Sequence, residues 1–254
     1  MPPRAGVGLR YSRAHMQALP DFSAFSGIRA VSIDLDDTLW PIWPTIERAE
    51  RVLLEWLHTH APATAQSLQT AEAVRAVRNE IGGLRPDLAH DLNGLRRESI
   101  RLALTRAGDD HTLAESAFDV FFAERQRVEL FEDVLPALEF LTARWPVVAL
   151  SNGTADVHVV GLGQFFHASV SAHRVGFAKP DARIFDLAAQ AAGVPAHSVL
   201  HIGDDAILDV KGAMDAGMQA VWLNRAGLDW PHEGATPHAT VVSLAQLCEG
   251  LAHN

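Results

Sequence analysis

Aspartates dominate the residues of this sequence that could carry chemistry. Asp34-Leu35-Asp36-Asp37 places three of them within four residues, and Gly203-Asp204-Asp205 adds two more, with Asp209 close behind. Carboxylates crowded together repel one another and raise one another's pKa, so a cation must offset their charge. An all-oxygen cluster of this kind suits Mg²⁺, which takes a few carboxylates and keeps several waters. Lys179 supplies a further positive charge.

A carboxylate pair next to a cation is suited to phosphoryl transfer. One carboxylate can accept a phosphoryl group as an aspartyl-phosphate, and another can protonate the leaving oxygen and then activate water. Asp34 and Asp36 project from the same side of an extended strand, because strand side chains alternate with period two. Ser151, Asn152 and the amides around Gly153 can hold phosphate oxygens at the start of a helix.

The elements that must position these residues follow from the hydrophobic pattern. Short apolar runs without polar alternation are typical of strands buried on both faces. The clearest runs are Ala30–Ile33, Val147–Leu150, Val199–Ile202 and Gln219–Leu223, and the weaker ones are Ser169–Ala172 and Thr240–Val242. Amphipathic stretches near 133–144, 181–192 and 209–216 alternate with the later runs and predict a parallel sheet with helices on both faces. Ligands bind beyond the carboxyl ends of such strands, where the aspartates, Ser151 and Lys179 converge.

The segment from about 41 to 130 has no convincing strand run and shows several apolar helical faces, with breaks at Gly82-Gly83 and Arg85-Pro86-Asp87. We therefore expect a Rossmann-like α/β core formed by residues 24–40 and 131–254, with an inserted all-helical cap at 41–130. Residues 1–23 are expected to form a flexible N-terminal extension.

The composition limits the possible partners and the compartment. A formal net charge of −10 argues against nucleic acid or an anionic membrane as the main partner, but not against a small anionic substrate. The single cysteine, Cys248, excludes an internal disulfide and fits a reducing cytoplasm. The sequence contains no apolar stretch long enough for a membrane span. We expect the protein to be a monomer or a homodimer.

These motifs, taken together, resemble those of the haloacid-dehalogenase-like (HAD) superfamily. They are Asp34-Leu35-Asp36-Asp37-Thr38, Ser151, Lys179-Pro180 and Gly203-Asp204-Asp205 with Asp209, in the family's order. The resemblance runs from about Ile28 to Leu223, and the helical insert is similar to the family's cap of the first type. It implies a Mg²⁺-dependent phosphatase that acts on a small phosphorylated metabolite.

The resemblance also implies a role for each matching residue. Asp34 would be the nucleophile and a metal ligand, and Asp36 would be the general acid/base with its backbone carbonyl on the metal. Ser151, Asn152 and Lys179 would bind phosphate. Asp204 would be a metal ligand, with Asp209 supporting the metal site. Asp205 stands where many relatives have Ser or Thr, so it would either support the metal or bond a backbone amide.

A narrower resemblance points to the bacterial subgroup that dephosphorylates FMN and 5-amino-6-(5-phosphoribitylamino)uracil. It rests on these segments: Trp145-Pro146, Ser151-Asn152-Gly153, Gly161-Leu162-Gly163 with Phe165-Phe166, His201-Ile202-Gly203-Asp204-Asp205, Gly217–Trp222, and His90-Asp91-Leu92 with Arg96. Arg96 and His90 are the candidate substrate contacts of the cap, Arg96 for a second anionic or polar part of the substrate.

Other functions remain open on the sequence. A phosphatase of another small metabolite, such as phosphoglycolate or a sugar phosphate, needs the same residues, and so does a phosphomutase. A 2-haloacid dehalogenase leaves Asp36 and Asp204 unexplained, because carbon–halogen displacement needs neither Mg²⁺ nor a leaving-group acid. A non-catalytic HAD-fold binding protein predicts loss of at least one of these acidic residues or Lys179. His201 is expected to be a satisfied core histidine.

Overall fold

The computed structural model describes residues 22, 23, 25 and 27–253. In this part of the chain, six parallel strands form one sheet in the order β3-β2-β1-β4-β5-β6. The strands are β1 (Ala30–Ile33), β2 (Val147–Ser151), β3 (Ala168–Ser171), β4 (Val199–Gly203), β5 (Gln219–Leu223) and β6 (Ala239–Val241). The predicted α/β class with a parallel sheet is confirmed, and the two weaker candidate strands form as β3 and β6.

Helices occupy most of the remaining chain. The first group is α1 (Ile42–His60), α2 (Pro62–Ser67), α3 (Ala71–Leu84), α4 (Leu92–Ala107) and α5 (Ala114–Arg125). The second group is α6 (Val134–Thr142), α7 (Ala172–Val175), α8 (Ala182–Ala191), α9 (Gly212–Asp215) and α10 (Leu244–Ala252). A π-helical stretch, Ala206–Lys211, leads into α9.

The sheet is buried on both faces because its central strands are apolar at nearly every position. Alternate residues of β1 enter different cores: Val31 and Ile33 join the cluster that includes α6 and α10, and Ala30 joins the cluster that includes α8 and α9. Phe22 and Phe25 also belong to the first cluster. The predicted flexible extension therefore lies mostly outside the described residues, and Phe22 at its end is packed against the core.

Helices α1–α5 occupy the segment predicted to be a helical cap and have a hydrophobic cluster of their own. The cluster joins α1, α4 and α5 through residues such as Leu57, Leu104 and Phe118. Gly82 and Gly83 were expected to interrupt the helical pattern, but α3 continues through both glycines to Leu84. The domain boundaries of this cap stay a prediction.

The strand order determines where a site can form. The chain fills the sheet outward from β1 on one side with β2 and β3, and on the other with β4, β5 and β6. The crevice between the carboxyl ends of β1 and β4 is thus the switch point at which open α/β sheets bind ligands. Helices of the described residues are all too short or too polar to span a membrane.

Candidate active site

Asp34 follows β1 directly, and the backbone fixes its position. Its amide donates to the carbonyl of Ile202 in β4 at 2.9 Å, so the strand pairing extends one residue past β1. Asp37 then adopts a left-handed conformation with φ of 58°, and its carboxylate accepts a hydrogen bond from the Ile42 amide at 2.9 Å. Aspartate tolerates this conformation better than most residues, so it suits the tight turn that leads into α1.

Lys179 joins two of the predicted carboxylates. Its Nζ lies 2.5 Å from Oδ1 of Asp34 and 2.5 Å from Oδ1 of Asp209, and all three side chains are buried. The Asn152 amide holds this lysine by its backbone, donating to the Lys179 carbonyl and accepting from the Lys179 amide at 3.0 and 2.8 Å. Asn152 therefore positions Lys179, and a direct phosphate contact from its side chain stays a prediction.

The two buried carboxylates that share the Lys179 ammonium have pKa values shifted in opposite directions. Burial raises the pKa of Asp34 well above its usual range, although Lys179 opposes the rise. Burial also acts to raise the pKa of Asp209, but the charge of Lys179 and a hydrogen bond from His201 outweigh it and lower that pKa. The pKa of Lys179 is raised because the two carboxylates outweigh the opposite effect of burial.

His201 forms part of the support beneath Asp209. Its Nε2 is 3.3 Å from Oδ1 of Asp209, and its Nδ1 is 2.8 Å from the hydroxyl of Ser32 on the adjacent strand. Burial lowers the pKa of His201, which keeps the ring neutral. The prediction of a hydrogen-bonded core histidine is confirmed, and the side chain has the further effect of orienting Asp209.

Asp204 completes a group of acidic side chains that can hold a metal ion. Carboxylate oxygens of Asp34, Asp204 and Asp209 all lie within 4.8 Å of one another. Burial raises the pKa of Asp204 to about 7, with the charges of Asp209 and Asp37 adding to the rise, while Thr38 donates to its carboxylate at 3.2 Å. Three carboxylates this close together repel one another unless a cation offsets their charge, and an all-oxygen donor set of this kind fits Mg²⁺.

Asp36 has a different environment from Asp34. Nη2 of Arg125, the last residue of α5, donates to both of its carboxylate oxygens at 2.6 and 2.8 Å. The indole nitrogen of the fully buried Trp40 donates to Oδ1 at 2.8 Å. Asp36, the second predicted catalytic aspartate, is therefore held by Trp40, which lies just before α1, and by Arg125, which ends α5.

The remaining candidates, Ser151 and Asp205, lie at the end of β2 and just before the π-helical stretch. The Ser151 hydroxyl accepts from the Gly153 amide at 2.9 Å, and a Cβ at Gly153 would collide with the Asp36 carboxylate. The carboxylate of Asp205 accepts from the amides of Ile207 and Leu208 at 2.8 Å each. Of the two roles considered for Asp205, the structure thus has the backbone hydrogen bond.

A cavity of about 310 Å³ opens beside Asp36, between the helical segment and the loop after β2. Arg96 lines it, is buried against Phe121 and pairs with Glu50 at 3.0 Å. A contact between Arg96 and the substrate stays a prediction. His90, the other candidate substrate contact of the cap, does not line this cavity. Trp43 also lines it, with 66% of its surface exposed.

Sequence reasoning missed Arg125. A signal was available, since Arg125 lies seven residues after Phe118 and four after Phe121, on the apolar face of α5. A charged residue on a buried helical face needs a partner of opposite charge, but the sequence does not reveal that the partner is Asp36, 89 residues away.

The comparisons with known proteins agree with this geometry. The profile of the haloacid dehalogenase-like hydrolases matches residues 28–217. The chain belongs to this family of hydrolases.

Three relatives show the range of activities nearby. The chain is 34% identical over 228 residues to the 5-amino-6-(5-phospho-D-ribitylamino)uracil phosphatase YigB of Escherichia coli (strain K12), covering 87% of this chain and 94% of that protein. It is 34% identical over 158 residues to the phosphoserine phosphatase of Thermus thermophilus, covering 60% and 63%. The solved structure of a 2-haloacid dehalogenase from Pseudomonas syringae pv. Tomato DC3000 aligns with a TM-score of 0.82 at 36% identity, covering 89% and 99%.

Proposed function

We propose that this protein is a Mg²⁺-dependent phosphatase that hydrolyses a small phosphate monoester through an aspartyl-phosphate on Asp34. The observation that carries the proposal is the buried pairing of Asp34 with Lys179, next to Asp209 and the half-buried Asp204. A nucleophilic carboxylate, a fixed cation and spare acidic ligands are the parts that phosphoryl transfer to an aspartate needs.

In the proposed reaction, an oxygen of Asp34 bonds to phosphorus as the bond from phosphorus to the alcohol oxygen breaks. Asp36 gives its proton to that alcohol oxygen and then takes one from a water. The water oxygen bonds to phosphorus as the bond from phosphorus to the Asp34 oxygen breaks, which releases inorganic phosphate and restores the Asp34 carboxylate. Lys179 stabilises negative charge on the phosphoryl oxygens, joined by the hydroxyl of Ser151 and the amides near Gly153.

Asp34, Asp204 and the backbone carbonyl of Asp36 would hold Mg²⁺, with Asp209 supporting the site through Lys179. The bound ion would neutralise charge as the phosphoryl group transfers. The raised pKa of Asp204 supports this part of the proposal, because a cation bound there would offset the charge of the ionised carboxylate.

The substrate we propose is FMN or 5-amino-6-(5-phosphoribitylamino)uracil, as the similarity to the Escherichia coli phosphatase over most of both chains suggests. This reaction belongs to riboflavin biosynthesis. We also propose a cytoplasmic location, since one cysteine, Cys248, suits a reducing compartment.

The test is phosphate release from a panel of monoesters, with Mg²⁺ and with EDTA, for the wild type and for Asp34→Asn. The panel contains FMN, the ribitylaminouracil phosphate, phosphoglycolate, phosphoserine and p-nitrophenyl phosphate. We expect Mg²⁺-dependent release that falls about a thousandfold or more in Asp34→Asn, because the nucleophile is lost. Asp186→Asn, on the exposed side of α8, is the matched control and should retain wild-type release.

A second candidate is 2-haloacid dehalogenation, favoured by the likeness to the Pseudomonas syringae structure. In that reaction Asp34 would displace a halide from carbon, and Asp36 and Asp204 would have no evident task. Halide release from 2-chloropropionate without Mg²⁺, together with no phosphate release from the panel, would replace the phosphatase proposal.

A further inference from the structure

Of the two terminal nitrogens of Arg125, one is hydrogen-bonded and the other is buried without a partner among the described residues. Its Nη2 binds both carboxylate oxygens of Asp36, and its side chain is 3% exposed. Its Nη1 is buried and makes no hydrogen bond within the described residues. A buried donor without an acceptor costs free energy, and such groups are rare in folded proteins. The arrangement therefore calls for an acceptor that arrives with a ligand.

The cavity beside Asp36 is the place where that acceptor can enter, since Arg125 and Asp36 both line it. Its volume of about 310 Å³ is in the range of small-molecule sites. Phe121, whose ring packs against the Arg96 guanidinium, and the exposed indole of Trp43 are aromatic parts of its walls. These walls suit a planar ring rather than a chain of hydroxyl groups alone.

The polar groups of this cavity are mostly donors. Arg78, Arg96 and Arg125 line it, and Glu50 pairs with the first two at 3.2 and 3.0 Å. Three guanidinium groups against the carboxylates of Glu50 and Asp36 leave one positive charge. Guanidinium groups cannot accept hydrogen bonds, so a ligand part that fits here carries acceptor oxygens.

We propose that Arg125 is a specificity-determining residue that recognises the alcohol part of the substrate. Nη1 donates to a carbonyl or carboxylate oxygen of that part, which lies against Phe121 and Trp43, while Nη2 keeps Asp36 in place beside the ester oxygen. The inference rests on the proposed phosphatase function and deepens it, because it selects esters whose alcohol carries a carbonyl-bearing ring.

Two esters with the same ribityl phosphate end test this inference. One is the ribitylaminouracil phosphate, which carries a ring with carbonyl oxygens, and the other is ribitol 5-phosphate, which has no ring. We expect the wild type to prefer the ring-bearing ester by tenfold or more in kcat/KM. p-Nitrophenyl phosphate serves as a general measure of phosphatase activity.

Arg125→Lys is the informative variant. Lysine keeps a charge beside Asp36 but has a single nitrogen, so it cannot hold Asp36 and a second acceptor as the guanidinium does. Because the substitution also loosens Asp36, both esters should be cleaved more slowly. We expect kcat/KM for the ring-bearing ester to fall about 10- to 100-fold further than kcat/KM for ribitol 5-phosphate, with the extra loss mostly in KM. Arg127→Lys, two residues on and exposed, is the matched control and should change neither value.

Several results would overturn the inference. They are an equal loss for both esters in Arg125→Lys, no loss for either, and a wild type that does not prefer the ring-bearing ester. The wild-type preference needs no variant, so the test does not depend on whether Arg125→Lys folds. If the wild type cleaves p-nitrophenyl phosphate but neither ribityl ester, the inference fails while the phosphatase function stands. If it cleaves no ester, both fail.

Discussion

At the scale of single residues, Asp36 is the point at which distant parts of the chain come into contact. Arg125 and Trp40 donate to its carboxylate, and Gly153 packs against it from the loop after β2. A side chain held from several directions has little freedom to rotate, which keeps its oxygens in one place. Any atom added at one of these contacts must displace the carboxylate.

Gly153→Ala tests this packing. The φ of Gly153 is not in the left-handed region, so alanine fits the backbone, but its Cβ would collide with Oδ2 of Asp36 and lie 3.1 Å from the Ser151 hydroxyl. We expect kcat/KM for phosphate esters to fall about 10- to 100-fold, because small displacements of catalytic groups are costly. Steady-state kinetics and a melting curve measure the two effects.

Gly82→Ala is the control for this substitution, since an added Cβ there meets no atom within 4 Å. It should retain full activity and melt at the same or a higher temperature, because alanine is favoured over glycine within a helix. Full activity in Gly153→Ala would show that the position of Asp36 is not critical to turnover.

The residues of the site were predictable to the extent that strand ends position them. Asp34, Asp204 and Ser151 follow apolar runs, and the carboxyl ends of parallel strands meet, so the sequence brings them together. The contacts of Asn152 with Lys179 and of Arg125 with Asp36 were not predictable. They join residues 27 and 89 positions apart, and nothing in the local pattern specifies either partner.

At the scale of elements, Asp133 links three segments behind the site. It precedes α6, accepts from both terminal nitrogens of Arg225 at 3.0 and 2.9 Å, and accepts from the Leu244 amide at the start of α10 at 2.8 Å. Arg225 also donates to the carbonyl of Thr38, whose hydroxyl donates to Asp204. The turn after β1 is thus connected to α6 and α10 through one ion pair.

Asp133→Ala should therefore destabilise the fold and disturb the acidic group. Removing one partner of a largely buried ion pair leaves Arg225 uncompensated, so we expect the free energy of unfolding to fall by about 3 kcal/mol. Urea denaturation monitored by circular dichroism measures the loss. Asp119→Ala, on the exposed face of α5, should change stability by less than about 0.5 kcal/mol. Equal stability of the two variants would contradict the role given to Asp133.

Most elements followed from hydrophobic patterns because the core dictates those patterns. The exceptions depend on forces that the local sequence does not contain. Helix α3 continues through Gly82 and Gly83 to Leu84, because neither glycine adopts the left-handed backbone conformation that would end the helix. Ala206–Lys211 forms a π-helical stretch rather than a regular helix, with its first amides bonded to Asp205.

At the scale of the whole molecule, the net charge is −10, and the candidate site itself contains several carboxylates close together. Burial and neighbouring carboxylates raise the pKa of Asp204 from its ordinary 3.8 to about 7. In the metal-free protein, protonation of Asp204 contributes stability that is fully present below about pH 4 and is lost as the pH rises through 7. In the proposed metal site, Mg²⁺ would bind the ionised carboxylate of Asp204 and so would compete with this proton.

Mg²⁺ should accordingly raise the melting temperature more at pH 8 than at pH 6. At pH 6 the ion must displace a proton from Asp204, whereas at pH 8 the carboxylate is already ionised and poorly compensated. Differential scanning fluorimetry with 10 mM Mg²⁺ or EDTA at each pH gives the shifts. Asp204→Asn should lose the pH-dependent part of the shift, and Asp186→Asn should keep it. Shifts of the same size at both pH values would argue against Asp204 as a ligand.

The central place of β1 in the sheet has a consequence for how the chain is made. Val31 pairs with Val147 on one side and with Leu200 on the other, so neither partner exists when β1 leaves the ribosome. At about 5–20 residues per second, roughly ten to thirty seconds pass before β4 is complete. Helices α1–α5, whose contacts are nearer in sequence, can form in that interval. The strand that precedes Asp34 is therefore first an exposed apolar segment, and the candidate active site is assembled only near the end of synthesis.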